Sequence, residues 1–266
     1  MDHCRRTGIL PGIESRRHSY GERRDQFGEL SRPDGAAGQW PVAVLIHGGF
    51  WRARYDLRLE DPLVADLASR GWAAWNLEYR RMGARSRGGW PVTFEDIAAG
   101  IDHLGTLDAP LDTSRVVAIG HSAGGHLALW AAARPGLPAG APGADPRIRL
   151  SGAVAQAGVV DLREVARLGL SDQAAESFLG GPPGELPQRY DLASPIERLP
   201  LGVPQLLVHG EADDVVPHEI SRRYAQRAGE AGDPCELVVL PGVGHQEHRD
   251  PDGDAWRAVT AWLEER

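Results

Sequence analysis

The stretch Gly120-His121-Ser122-Ala123-Gly124 constrains this chain more than any other. It follows the apolar run Val116-Val117-Ala118-Ile119 and opens a segment, 122–133, that reads as a helix stopping at Pro135. A serine at a sharp strand-to-helix turn must hold a strained backbone, and flanking glycines let neighbouring chain pass close by. Its hydroxyl then projects from the carboxyl edge of a sheet, with a helix N-terminus under any negative charge that develops there. The five-residue pattern alone is weak; the strand before it and the helix after it make it specific. The alternative is a tight turn whose serine caps the helix.

The rest of the chain alternates in the way this turn requires. Apolar runs at 42–46, 72–75, 116–119, 153–157, 203–208 and 236–240 read as strands, and 25–30 as a weak edge strand. Between them, 59–69, 93–107, 122–133 and 217–228 carry helical stripes, and 252–265 closes the chain as an amphipathic helix. This order predicts an α/β fold, a doubly wound, mostly parallel sheet with helices on both faces. Residues 1–18 are polar and unpatterned and are expected to be loosely held; 19–266 is expected to form one domain. Within it, 158–200 is too long for a structureless loop and is expected to be a small lid-like insertion.

A nucleophilic serine needs a base and a group that orients the base. In this architecture they follow as acid and then histidine, each on a loop after a strand. The acid comes from His209-Gly-x-x-Asp213-Asp214-Val-Val-Pro217, where spacing favours Asp213 over Asp214. The histidine comes from Gly242-Val-Gly-His245, where His245 competes with His209, expected to bond locally, and His248, expected to be solvated. His121 and His126 are assigned no chemistry.

Composition removes other chemistries. The chain has 266 residues, and all 29 basic residues are arginine. Without lysine there is no phosphate-loop lysine, no Schiff base and no Ser-Lys dyad. A net charge of -8 argues against nucleic acid as a partner. No apolar run reaches membrane length, and the N-terminal apolar stretch is too short for a secretory signal, so a cytoplasmic protein is expected. Two cysteines, Cys4 and Cys235, make neither a disulfide framework nor a zinc site. The spacing His245-Gln-Glu-His248 does not fit the zinc-protease helix, and no metal is expected.

With His47-Gly48-Gly49-Phe50-Trp51 after the 42–46 strand, these pieces resemble the α/β-hydrolase fold over nearly the whole chain from about residue 20. Within it, the histidine, two glycines, aromatic and tryptophan look most like the kynurenine formamidase and small carboxylesterase branch. They are also similar to the catalytic domains of prolyl-oligopeptidase-like peptidases. Phe50 stands where the hormone-sensitive-lipase branch has a third glycine, and some 40 residues before the first core strand cannot build a propeller. The resemblance implies a Ser122–His245–Asp213 triad that cleaves an ester or aryl formamide through an acyl-enzyme, without cofactor. It implies an oxyanion hole from the N–H of Ala123 and that of Gly49 or Phe50. Trp51 and His47 are expected at the substrate pocket, with Tyr79 and Trp90 placed either there or in the core. The expected partner is a small-molecule ester or amide, and a homodimer is compatible with the sequence.

Overall fold

The structure, a computed structural model, describes residues 12–35 and 38–266. Its strands are β1 (Ile13–Ser19), β2 (Phe27–Pro33), β3 (Trp40–Ile46), β4 (Ala73–Leu77), β5 (Leu111–His121), β6 (Gly152–Gln156), β7 (Gln205–Gly210) and β8 (Cys235–Leu240). They form one sheet in the order β1-β2-β4-β3-β5-β6-β7-β8. From β4 to β8 the neighbours are parallel; β1 with β2 and β2 with β4 are antiparallel. The apolar runs become parallel strands because helices cover both sides of the sheet. In β3, Val42, Val44 and Ile46 enter one core while Ala43 and Leu45 enter the other, the period-two split of a strand.

The helices are α1 (Asp61–Ser69), α2 (Val92–Asp102), α3 (Ala123–Ala133), α4 (Leu162–Arg167), α5 (Leu170–Leu179), α6 (Pro187–Ala193), α7 (Glu219–Glu230) and α8 (Asp254–Glu264). One face carries α1 and α8, with Leu63, Leu67, Trp256, Val259 and Trp262 in its core. Trp256 Nε1 donates to Asp66 at 2.7 Å, joining the two helices. The other face carries α2, α3 and α7, through residues such as Phe94, Leu127 and Tyr224. Each fully buried apolar side chain of this kind contributes about 1.5–3 kcal/mol. Helix α3 is buried on every side. The 158–200 segment closes over it: Trp130 Nε1 donates to the Leu192 carbonyl at 3.1 Å, and His126 Nε2 to that of Ala193 at 2.9 Å.

The N-terminal expectation is corrected in part. Residues 1–11 lie outside the described residues, but Ile13–Ser19 is not loosely held: it is β1, paired from Ile13 with Pro33 to Ser19 with Phe27. Its polar, arginine-rich side chains suit a sheet edge, and Arg17 bonds Glu29 on β2 at 2.6 Å. The predicted edge strand at 25–30 is therefore second from the edge. The 158–200 segment holds three helices, and its α5 starts irregularly: Ser171, Asp172 and Gln173 have φ of 50°, 53° and 55°.

Candidate active site

Strand β5 delivers its last residue, His121, to the carboxyl edge of the sheet, and α3 starts two residues later. Between them Ser122 has φ 57° and ψ -118°, a conformation that costs about 1–3 kcal/mol in a non-glycine residue. The surroundings impose it. Ser122 N–H donates to the Gln156 carbonyl at 2.8 Å on β6, and its own carbonyl accepts from His126 at 3.2 Å. A Cβ on Gly124 would lie 1.8 Å from the Ile46 carbonyl oxygen, and one on Gly120 would lie 2.2 Å from Gly124. Only glycine at these two positions lets the elbow seat against the end of β3.

The loop after β3 meets the elbow from the other side. Gly48 packs on it so closely that a Cβ there would sit 2.6 Å from the His121 carbonyl oxygen. Gly49, Phe50 and Trp51 then take φ of 99°, 47° and 55° in succession. This turn separates two neighbours. Phe50 lines a cavity of about 420 Å³ that also exposes Ser122 and His245. Trp51 is fully buried, stacked on Phe178 at 4.2 Å with an interplanar angle of 6°, and does not line that cavity. The expectation that Trp51 binds substrate is corrected: its indole glues the 158–200 segment to the core. His47 is also displaced from the expected substrate pocket. It is buried, stacked on Tyr79 at 4.4 Å, with Nε2 3.1 Å from Glu78 Oε1. Tyr79 donates its hydroxyl to the His47 carbonyl at 2.8 Å, so both residues brace the glycine loop. Trp90 packs against Phe94 and joins the core.

The loops after β7 and β8 bring acid and histidine together. His245 Nδ1 is 2.7 Å from Asp213 Oδ2. Asp213 Oδ1 accepts the N–H groups of Val215 at 2.9 Å and Val216 at 2.8 Å. Burial alone would raise the Asp213 pKa, but the hydrogen bonds from His209, His245 and the Val216 backbone outweigh it and hold the carboxyl well below the usual range. Of the two adjacent acids, Asp213 is the one that faces His245.

Two histidines behind the pair were not assigned this work by sequence. His209 Nε2 lies 3.1 Å from Asp213 Oδ2 and 2.9 Å from the Val216 carbonyl, while Nδ1 is 2.7 Å from Ser221 Oγ. With Ser221 donating to Nδ1, Nε2 carries the proton and points it at both acceptors, so it holds the same Asp213 oxygen that faces His245. The expected local bonding of His209 is thus a brace on Asp213. His121 donates Nε2–H to the His245 carbonyl at 2.8 Å, anchoring the histidine loop to the elbow. Burial and the neighbouring His245 and His248 push the His121 pKa well down, keeping it neutral for that task. The expectation that His248 is solvated is corrected. It is fully buried, 5.8 Å from the His121 ring and 6.3 Å from that of His209, and burial pushes its pKa down to about 3.

Arg54, Tyr55, Leu59, Ser171, Gln246 and Arg249 complete much of the cavity wall. No sequence pattern marks them, although Arg54 and Tyr55 follow the glycine loop and Gln246 and Arg249 follow His245.

The BD-FAE family profile matches residues 29–227, three quarters of the chain and the span that includes the glycine loop, the elbow and Asp213. The chain belongs to the BD-FAE family. This BD-FAE member is 28% identical over 242 residues to the probable carboxylic ester hydrolase LipM of Mycobacterium tuberculosis, covering 85% of this chain and 54% of LipM. It is 28% identical to esterase LipQ of the same organism, covering 91% of this chain and 62% of LipQ. The chain thus spans only about half to two thirds of these relatives. Among solved structures, an esterase of Thermogutta terrifontis is 26% identical, with a TM-score of 0.74 over 96% of this chain and 91% of that one. A truncated carbohydrate esterase from gut microbiota superposes with a TM-score of 0.82 over 97% and 99% of the two chains; at 22% identity it speaks for the fold alone. The BD-FAE member has the α/β-hydrolase fold.

Proposed function

We propose that this protein is a serine hydrolase that cleaves carboxylic esters. The observation that carries the proposal is the 2.7 Å contact between Asp213 and His245, with His245 and Ser122 lining one cavity. In this reading His245 takes the Ser122 proton as Oγ attacks the ester carbonyl carbon. Asp213 holds Nδ1–H and stabilises the imidazolium. The tetrahedral oxyanion accepts the N–H of Ala123 and that of Gly49 or Phe50; each donor of this kind is worth about a hundredfold to a thousandfold in rate. His245 returns the proton to the leaving alcohol, and water repeats the sequence on the acyl-enzyme. The names of the esterase relatives, read alongside this geometry, support an ester as substrate.

The 158–200 segment acts as a lid-like wall here, because Ser171 from it lines the cavity. No described helix is long and apolar enough to cross a membrane; a cytoplasmic location and a homodimer belong to the proposal as sequence expectations. Ser122→Ala is expected to lower p-nitrophenyl acetate hydrolysis at least about a thousandfold. A fluorophosphonate probe should label the wild type and not the variant. Equal turnover or equal labelling in the two proteins sinks the serine-hydrolase reading. The glycine loop with its aromatic pair favours an aryl formamide as the second substrate class. N-formylkynurenine, assayed beside short and long acyl esters, decides it: a rate no better than on a generic ester removes the formamidase reading.

A further inference from the structure

In a chain of net charge -8, the cavity around Ser122 is lined by two arginines and by no aspartate or glutamate. They come from the two loops that carry the glycine turn and His245. On the first, the Tyr55 ring packs on Gly49 so tightly that a Cβ there would lie 2.3 Å from the ring. The Arg54 guanidinium sits over that ring, 4.8 Å from its centroid. On the second, Arg249 follows His245 by four residues and donates to Gln246 Oε1, which also borders the cavity.

Both charges are uncompensated. Their neighbour Arg52 lies 3.9 Å from Asp172, and Arg58 reaches Glu29 and Asp61. Arg54 and Arg249 form no ion pair among the described residues. Arg249 also buries its Nε–H without an acceptor. Its charge acts on Glu60, which is buried with Oε1 unpartnered. Burial raises the Glu60 pKa to about 8 against the opposing pull of Arg249, so at neutral pH it is mostly uncharged and does not neutralise the guanidinium. Arg54 and Arg249 thus border the cavity without a carboxylate partner, and a substrate carboxylate is the group that matches a guanidinium fork best.

We infer that Arg54 and Arg249 recognise a carboxylate on the substrate, so that the site prefers esters carrying an anionic group near the scissile bond. The inference rests on the serine-esterase reading and adds a substrate class to it. The carboxylate is carried on either the leaving alcohol or the acyl group, and two matched pairs distinguish these. For the leaving group, 4-acetoxybenzoate is compared with phenyl acetate, whose phenol is of similar reactivity. For the acyl group, ethyl hydrogen adipate is compared with ethyl hexanoate, in which a methyl replaces the carboxylate.

In at least one pair kcat/KM for the anionic ester should exceed that of its neutral partner by about tenfold at low salt. That ratio should fall toward one in Arg54→Gln, in Arg249→Gln, and in the wild type at about 1 M salt. The salt series and the exposed Arg54 keep the test informative if Arg249→Gln folds poorly. A wild-type ratio of one or less in both pairs overturns the inference, as does a preference that survives both Arg54→Gln and high salt. Ser122-dependent hydrolysis of the neutral esters without any anionic preference overturns this inference alone. Absence of Ser122-dependent hydrolysis from all four esters overturns the esterase reading with it.

Discussion

Ser122 and the start of α5 both hold non-glycine residues at positive φ beside the same cavity, and they are built differently. At the elbow a single residue, Ser122, is fixed between β5 and α3 by hydrogen bonds to Gln156 and His126, with Gly120 and Gly124 packed against backbone. At the start of α5 three consecutive residues, Ser171 to Gln173, take φ of 50–55°, and Asp172 is almost wholly exposed. Strain persists only where its surroundings over-determine it. The elbow is over-determined by the sheet; the 171–173 turn hangs on Arg52, which donates to the Ser171 carbonyl and lies 3.9 Å from Asp172. The serine is thus fixed, and it faces a lightly tethered wall.

The largest expected effect comes from breaking the elbow. Gly124→Ala places a methyl 1.8 Å from the Ile46 carbonyl, a backbone atom that cannot step aside without displacing β3. We expect a loss of about 4 kcal/mol or more in urea or thermal unfolding, in the exceptional range for one substitution. Gly169→Ala, at the head of the 171–173 turn, meets open space and pays only for φ of 63°. It should cost about 1 kcal/mol. Equal losses would mean that the two strained sites are built alike.

The next effect tests the packed side through its buried histidines. Burial lowers the pKa of His248 to about 3 and that of His126 to about 4. Below about pH 6.5 the unfolded chain takes up protons that these folded residues refuse. Stability therefore falls as pH drops from about 6.5 toward 4 for His126 and toward 3 for His248. The slope reaches up to about 1.4 kcal/mol per pH unit for each histidine. Asp213, whose folded pKa is depressed, loses its stabilising bonds only at still lower pH, in the same direction. Urea midpoints that stay flat between pH 7 and 4.5 would contradict this burial.

The same contrast explains what could be read in advance. Ser122, Asp213 and His245 were legible because backbone chemistry marks them: glycines at a forced approach, and loops following apolar strands in a set order. The alternation of strand and helix was legible for the same reason, since β3, β4, β6, β7 and the second half of β5 bury both faces and leave unbroken apolar runs. Strand β1 was missed because its polar residues take their register from β2, and no pattern of their own records it. His248 and Trp51 were misplaced because which side of a turn a ring enters is decided by what packs there, His121 and His209 in one case and Phe178 in the other. The cavity wall was invisible because Arg54, Ser171 and Arg249 come from three distant segments that meet only in the fold.

The smallest effect is the sharpest on the comparison. Arg52→Ala removes the tether of the 171–173 turn and touches nothing in the elbow. The ion pair to Asp172 is long and solvent-exposed, so the global cost should stay within about 1 kcal/mol, most of it from the bond to the Ser171 carbonyl. The local consequence should be larger than the global one. Amide exchange at residues 171–173 should speed up while that of β5 and α3 stays unchanged, because local opening draws on few contacts. Since Ser171 lines the cavity, KM for a bulky ester should shift a few-fold with kcat nearly constant, the signature of altered binding with intact chemistry. If kcat falls instead, or if exchange rises across α3 as well, the lid turn and the elbow share one cooperative unit, and the division between a fixed serine and an adjustable wall is wrong.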